Sequence, residues 1–279
     1  MTICRTVDEI RRQTRDWRRA GLRVGFVPTM GYLHEGHLSL VDLAAAHADR
    51  VVLSIYVNPT QFGPGEDLDK YPRDFPRDEA MCRQRGVHAL FYPDNATMYA
   101  PGHSTWVVEE SLTGTLCGRS RPGHFRGVTT VVTKLLNLVQ PDVAVFGRKD
   151  AQQALVIQRL VRDLNLPVDV LVAPIVRAPD GLALSSRNAY LSADERQRAL
   201  AISQSLRQAE ERFAAGERDA EALRQAVGAR LAAAGGRVDY VECVSRETLQ
   251  PLERLEAPAL LAVAAFFGKT RLLDNAYLG

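Results

Sequence analysis

Hydrophobic positions along the chain fall into short apolar runs separated by segments with the three-to-four-residue spacing of an amphipathic helix. Residues 6–20 predict a helix, opened by Thr6 and Glu9 at capping-box spacing and stopped by Gly21. Residues 22–27 then predict a buried strand, 28–36 a loop carrying two glycines, and 37–48 a second helix. The β-branched run 50–57 predicts a strand ending at Asn58-Pro59, followed by a helix over 74–85 and a strand over 87–92. A helix over 127–139, a strand over 143–146, a helix over 151–164 and a strand over 168–172 continue the alternation up to Pro174. Strands separated by helices imply a parallel sheet covered on both faces, an α/β architecture.

Past residue 185 the pattern changes. Residues 193–213 and 220–234 are Ala-, Arg- and Glu-rich and read as helices joined around Gly216, and two apolar strands follow at 238–244 and 260–267. These predict a smaller α+β domain, so the expected division is 1–184 and 185–279.

Composition narrows the function. The 279 residues are 46% hydrophobic, enough for a substantial core, and the formal charge of +2 creates no global field for nucleic acid or an anionic membrane. Cys4, Cys82, Cys117 and Cys243 lie far apart without a Cys-x-x-Cys pair, which argues against a zinc ribbon, a redox motif or a disulfide framework and favours a reducing cytoplasm. Neither a signal peptide nor a membrane span is legible. Lysine occurs only at Lys70, Lys134, Lys149 and Lys269 among many arginines, so Lys149 draws attention as a place where a compact ammonium is wanted.

Three segments could carry chemistry. Pro28-Thr29-Met30-Gly31-Tyr32-Leu33-His34-Glu35-Gly36-His37 sits where a strand hands over to a helix, a junction whose free N–H groups and dipole favour anions. Its two imidazoles could donate to a triphosphate or to charge developing at the α-phosphate. A zinc site lacks the helical His-Glu-x-x-His spacing and a nearby cysteine, while ordinary surface histidines at a turn stay an alternative. Phe146-Gly147-Arg148-Lys149-Asp150-Ala151-Gln152-Gln153 again follows a strand and opens a helix; Gly147 permits close approach, Lys149 supplies a point charge, and Asp150 could equally serve as the helix cap. Leu184-Ser185-Ser186-Arg187-Asn188, after the Asp180-Gly181 turn, suits a phosphate clamp, although serines there could simply cap a helix.

Together with Tyr56-Val57-Asn58-Pro59-Thr60-Gln61-Phe62, Tyr71-Pro72-Arg73, Arg121-Pro122-Gly123-His124-Phe125-Arg126-Gly127-Val128 and the terminal Thr270-Arg271-Leu272-Leu273-Asp274-Asn275, these segments resemble the signatures of the pantothenate synthetase family, in order and across nearly the whole chain. The resemblance implies a Rossmann-like nucleotide-binding domain followed by the smaller domain, in a cytoplasmic homodimer. It also implies condensation of pantoate with β-alanine through a pantoyl adenylate, using ATP and Mg2+ and releasing AMP and pyrophosphate.

By the same resemblance, Met30, Gly31, Tyr32, Leu33, His34, Glu35, Gly36 and His37 would hold ATP, with His34 and His37 on its phosphates and His37 as the acid. Gly147, Arg148, Lys149 and Asp150 would contact nucleotide, Val176 the adenine region, and Leu184, Ser185, Ser186 and Arg187 the phosphates. Catalysis would rest on His37, His34, Lys149, Ser185, Ser186 and Arg187. Gln61, Gln153 and Asn58 would bind substrate, and Asp78 matches an acidic position associated with magnesium. Arg148 departs from the family, which often has an acidic residue or glutamine there. A nucleotidylyltransferase shares the histidine loop but lacks reason for the Asn58-Pro59-Thr60-Gln61 loop and second domain. An Arg-rich RNA-binding protein is disfavoured by balanced charge and the lack of a basic-aromatic platform.

Overall fold

The structure is a computed structural model and describes residues 1–256 and 258–279. Among the described residues the strands are β1 (Thr2–Cys4), β2 (Val24–Thr29), β3 (Arg50–Ile55), β4 (Ala89–Phe91), β5 (Val143–Gly147), β6 (Asp169–Ala173), β7 (Arg237–Ser245), β8 (Ala259–Phe267) and β9 (Thr270–Leu278). The α-helices are α1 (Val7–Arg19), α2 (Glu35–His47), α3 (Phe75–Gln84), α4 (Asn95–Met98), α5 (Leu116–Ser120), α6 (His124–Val139), α7 (Ala151–Asp163), α8 (Ala193–Ala214) and α9 (Ala220–Ala233).

Two compact units can be distinguished. The first comprises residues 1–110, 121–148 and 153–174, the second residues 111–120, 149–152 and 175–279. The first holds a six-stranded sheet of order β1-β4-β3-β2-β5-β6, parallel throughout. Its central strands are nearly continuous apolar runs, as strands covered on both faces require; Val24, Phe26 and Val27 of β2 and Val51, Val52 and Leu53 of β3 are buried. Strand order reverses between β2 and β5, which are direct neighbours, and in open α/β sheets ligands bind at the carboxyl ends of strands flanking such a reversal. The α/β Rossmann-like expectation is met.

The second unit contains the antiparallel sheet β7-β8-β9. Leu261, Val263, Ala265 and Phe267 of β8 and Leu272 and Ala276 of β9 form a core with Ile202 and Leu206 of α8 and Leu223, Val227 and Leu231 of α9. Its third strand was not expected, since the polar side chains of Arg271, Asp274 and Asn275 interrupt the apolar pattern of β9. Helix α1 opens on the expected capping box: the Thr6 hydroxyl accepts from the Glu9 amide at 3.3 Å and the Glu9 carboxylate accepts from the Thr6 amide at 3.0 Å. Helices α2 and α6 begin two and three residues earlier than predicted. All four cysteines are free and buried, and burial pushes the Cys4 thiol up to about 11 and those of Cys82 and Cys243 up to about 12, which keeps them inert. No helix among the described residues is long and apolar enough to cross a membrane.

Candidate active site

Strand β2 delivers Thr29 to the edge of the sheet, where its hydroxyl donates to the Ser54 carbonyl at 2.7 Å and accepts from the Gly31 amide at 3.1 Å. The chain then turns through left-handed backbone, φ +83° at Gly31 and +50° at Tyr32, before α2 begins. A Cβ on Gly31 would lie 2.8 Å from Ile55 Cγ2, so this position requires glycine on two counts. The earlier start of α2 places His34 at its N-cap and His37 in its first turn. Side chains three apart on a helix are neighbours, and the two imidazoles stack with centroids 4.0 Å apart and planes at 28°. His34 makes no side-chain capping bond, and the N-terminal end of a helix such as α2 carries the partial positive charge that attracts anions.

Asp78, one turn into α3, fixes this loop. Its carboxylate accepts from the Tyr32 and Leu33 amides, each at 2.7 Å, while Arg77 lies 3.6 Å away and its guanidinium stands over the Tyr32 ring. Burial raises the Asp78 carboxyl above its usual value, and the two amide bonds oppose that rise without cancelling it. Both oxygens thus hold the histidine loop. Among the described residues no group of three or more His, Cys, Asp or Glu side chains stands together as a metal site.

The loop after β3 carries the expected acid-binding residues. Asn58, 1% exposed, is consumed internally: its Oδ1 accepts from the Thr60 hydroxyl at 2.9 Å and the Tyr99 hydroxyl at 3.0 Å, and its Nδ2 donates to Gln61 Oε1 and to the Gly127 carbonyl, both at 3.1 Å. Asn58 therefore orients Gln61. With Gln61 Oε1 taken, its Nε2 donates to Met30 Sδ at 3.2 Å, bringing the loops after β2 and β3 together. Gly127 in α6 permits this approach, because a Cβ there would lie 2.4 Å from the Thr60 carbonyl oxygen. From α6 and the turn before it, His124 Nδ1 donates to the Gln61 carbonyl at 2.8 Å, and Arg121 donates to the same carbonyl at 3.3 Å. In the sequence, that segment carries no signal of this role beyond the resemblance.

Strand β5 ends at Gly147 beside the carboxyl end of β2, and a 3-10 turn, Arg148–Asp150, leads into α7. Arg148 and Gln153 are half-buried in the first unit. Lys149 belongs to the second unit, where its ammonium pairs with Asp150 at 3.2 Å; Gln152 is buried and bonded to the Leu112 and Thr115 carbonyls. In the same unit, residues 176–184 fold back through the Asp180-Gly181 turn, with the Leu184 amide donating to the Val176 carbonyl at 3.0 Å. Ser185 caps the following 3-10 turn, Ser186–Tyr190, by accepting from the Arg187 amide at 3.3 Å; Ser186 is buried and Arg187 half-buried. The first unit thus gathers the histidine loop, Gln61 and Gly147 at the carboxyl ends of β2, β3 and β5, and the second contains Lys149, Val176 and Ser185–Arg187.

The family model for pantoate-beta-alanine ligase matches residues 2–277. A pantothenate synthetase of Pelotomaculum thermopropionicum is 56% identical over 100% of this chain and 99% of its own length, and one of Thermotoga neapolitana is 54% identical over the full length of both. Among solved structures, the pantothenate synthetase of Thermus thermophilus superposes with a TM-score of 0.92 at 47% identity, covering 99% of each chain. The pantoate-beta-alanine ligase of Francisella tularensis, described as complexed with beta-gamma ATP and beta-alanine, superposes with a TM-score of 0.84 at 33% identity over 99% of this chain and 97% of that one. A match of this length, on a fold whose sheet reversal carries the histidine loop, places the chain in the pantoate–β-alanine ligase family, the enzymes that make pantothenate by joining pantoate to β-alanine.

Proposed function

We propose that the chain performs this ligation with ATP, forming a pantoyl adenylate first and releasing pyrophosphate and then AMP. The observation that carries the reading is the stacked His34–His37 pair at the start of α2, beside the reversal of the sheet. A carboxylate is a poor electrophile. A pantoate carboxylate oxygen bonding to the α-phosphorus expels pyrophosphate, and the resulting mixed anhydride gives the acyl carbon a good leaving group. A neutral amine of β-alanine then bonds to that carbon, AMP departs, and the nitrogen releases a proton to solvent to leave the amide.

In this reading Met30–His37 and Gly147–Asp150 receive the nucleotide, Val176 its adenine region, and Lys149, Ser185, Ser186 and Arg187 its phosphates. His37 donates a proton or hydrogen bond where charge builds on the phosphate oxygens. Gln61, its carbonyl oxygen occupied by Asn58, offers its NH2 to the oxygens of pantoate, and Gln153 assists. Magnesium, which the family uses, would sit on the nucleotide phosphates and offset their charge, as Mg2+ commonly does. The ATP and β-alanine bound by the Francisella relative support the substrate assignment.

The test is AMP formation measured with pantoate and β-alanine each omitted in turn. Sustained AMP release should need both. ADP in place of AMP, or AMP release indifferent to pantoate, would exclude the proposed route.

A further inference from the structure

The terminal segment Thr270–Asn275 matches the family, yet no residue of it has a part in the site described above. Strand β9 nevertheless touches each nucleotide-suited segment of the second unit. Asn275, 3% exposed, donates from Nδ2 to the main-chain carbonyl of Lys149 at 3.0 Å. Asp274, 4% exposed, accepts both arms of the Arg177 guanidinium, at 2.6 Å and 3.1 Å, and also takes the Asn275 amide at 2.8 Å. Arg177 follows Val176 directly and donates to the Gly181 carbonyl at 3.3 Å, closing the turn that leads back to Leu184. The Ser186–Tyr190 turn packs on the same strand.

Adjacent side chains on a strand leave opposite faces, so one dipeptide can hold two separate loops in a common frame. A planar guanidinium gripped by both oxygens of a buried carboxylate fixes direction as well as distance. The backbone carbonyl of Lys149 has an equally directional donor in a nearly buried amide, which sets where the side chain of Lys149 begins.

We propose that Asp274 and Asn275 are positioning residues for nucleotide binding: Asn275 acts through Lys149, and Asp274 acts through Arg177 on the Val176–Leu184 segment. The proposal rests on the reading that Lys149 contacts ATP. It requires that the two residues matter to ATP far more than to pantoate, whose expected ligand Gln61 is oriented by Asn58 and His124 within the other unit.

Titration calorimetry with ATP alone and with pantoate alone tests it on the full chain, using Asn275→Ala, Arg177→Lys, Lys149→Ala and the Asn275→Ala/Lys149→Ala pair. Asn275→Ala should weaken ATP by about tenfold or more, as small misplacements of a binding group do. Pantoate affinity should stay within about twofold, and Asn275→Ala should add less than about twofold in the Lys149→Ala background, as expected when one residue acts through another. Arg177→Lys keeps the charge opposite Asp274 but loses the fork, and should also weaken ATP selectively; it carries the test if Asn275→Ala does not fold. Equal losses for ATP and pantoate, full additivity with Lys149→Ala, or wild-type ATP binding in Asn275→Ala or Arg177→Lys while Lys149→Ala is impaired would overturn the proposal. Wild-type ATP binding and turnover in Lys149→Ala would instead remove the reading beneath it.

Discussion

At the scale of single residues, the imidazole of His37 and the ammonium of Lys149 are the groups on which turnover should depend most. Loss of a preorganised donor to a transition state costs about a hundredfold or more in turnover, so His37→Ala and Lys149→Ala are each expected to lose at least that while melting normally. Near-normal turnover in either folded variant would strike that residue from the catalytic set. Both stand out in the sequence for chemical reasons: imidazoles in a glycine-flanked loop, and a lysine in a chain that chooses arginine. The internal partners of Asn58 and Asp78 were not legible because they are distant in sequence. Asn58 meets Tyr99 and Gly127, and Asp78 meets Tyr32 and Leu33, contacts that only the folded sheet creates.

At the scale of elements, the junction of β2 with α2 is braced by Asp78 of α3. Removing the Asp78 carboxylate strands the buried Leu33 amide, at about 1–3 kcal/mol when unsatisfied, and the half-buried Tyr32 amide, at less. Asp78→Ala should therefore lower the melting temperature and raise KM for ATP. Asp78→Asn, with one acceptor oxygen and an NH2 facing the second amide, should do so less. Steady-state kinetics with varied ATP checks this; an unchanged KM in a folded Asp78→Ala would show that the loop keeps its shape unaided. Helices and buried strands of this kind were readable from periodicity alone, whereas β1, at three residues, was too short to register. The start of α2 was placed two residues late because Glu35-Gly36 lacks apolar periodicity, and that offset concealed the stacking of His34 on His37.

At the scale of the whole molecule, acid should loosen the support beneath Gln61. Partial burial pushes the Glu66 carboxyl up, but the hydrogen bonds and charge of Arg121 outweigh it and hold the group below its usual value. A carboxyl depressed on folding contributes stability that is complete above its unfolded value, about 4.3, and is lost as pH falls through the lower folded value. Glu66→Gln should therefore lower the melting temperature at neutral pH, and the gap from the parent chain should close as the pH is taken below that range. A gap of constant size would assign the effect to packing. If the histidine loop makes an adenylate before any amine arrives, pantoate alone suffices for chemistry at ATP. The direct measurement is exchange of labelled pyrophosphate into ATP with magnesium and pantoate but no β-alanine: robust exchange, abolished in His37→Ala, is expected, and no exchange in an enzyme that still makes pantothenate would contradict a reversible adenylate step.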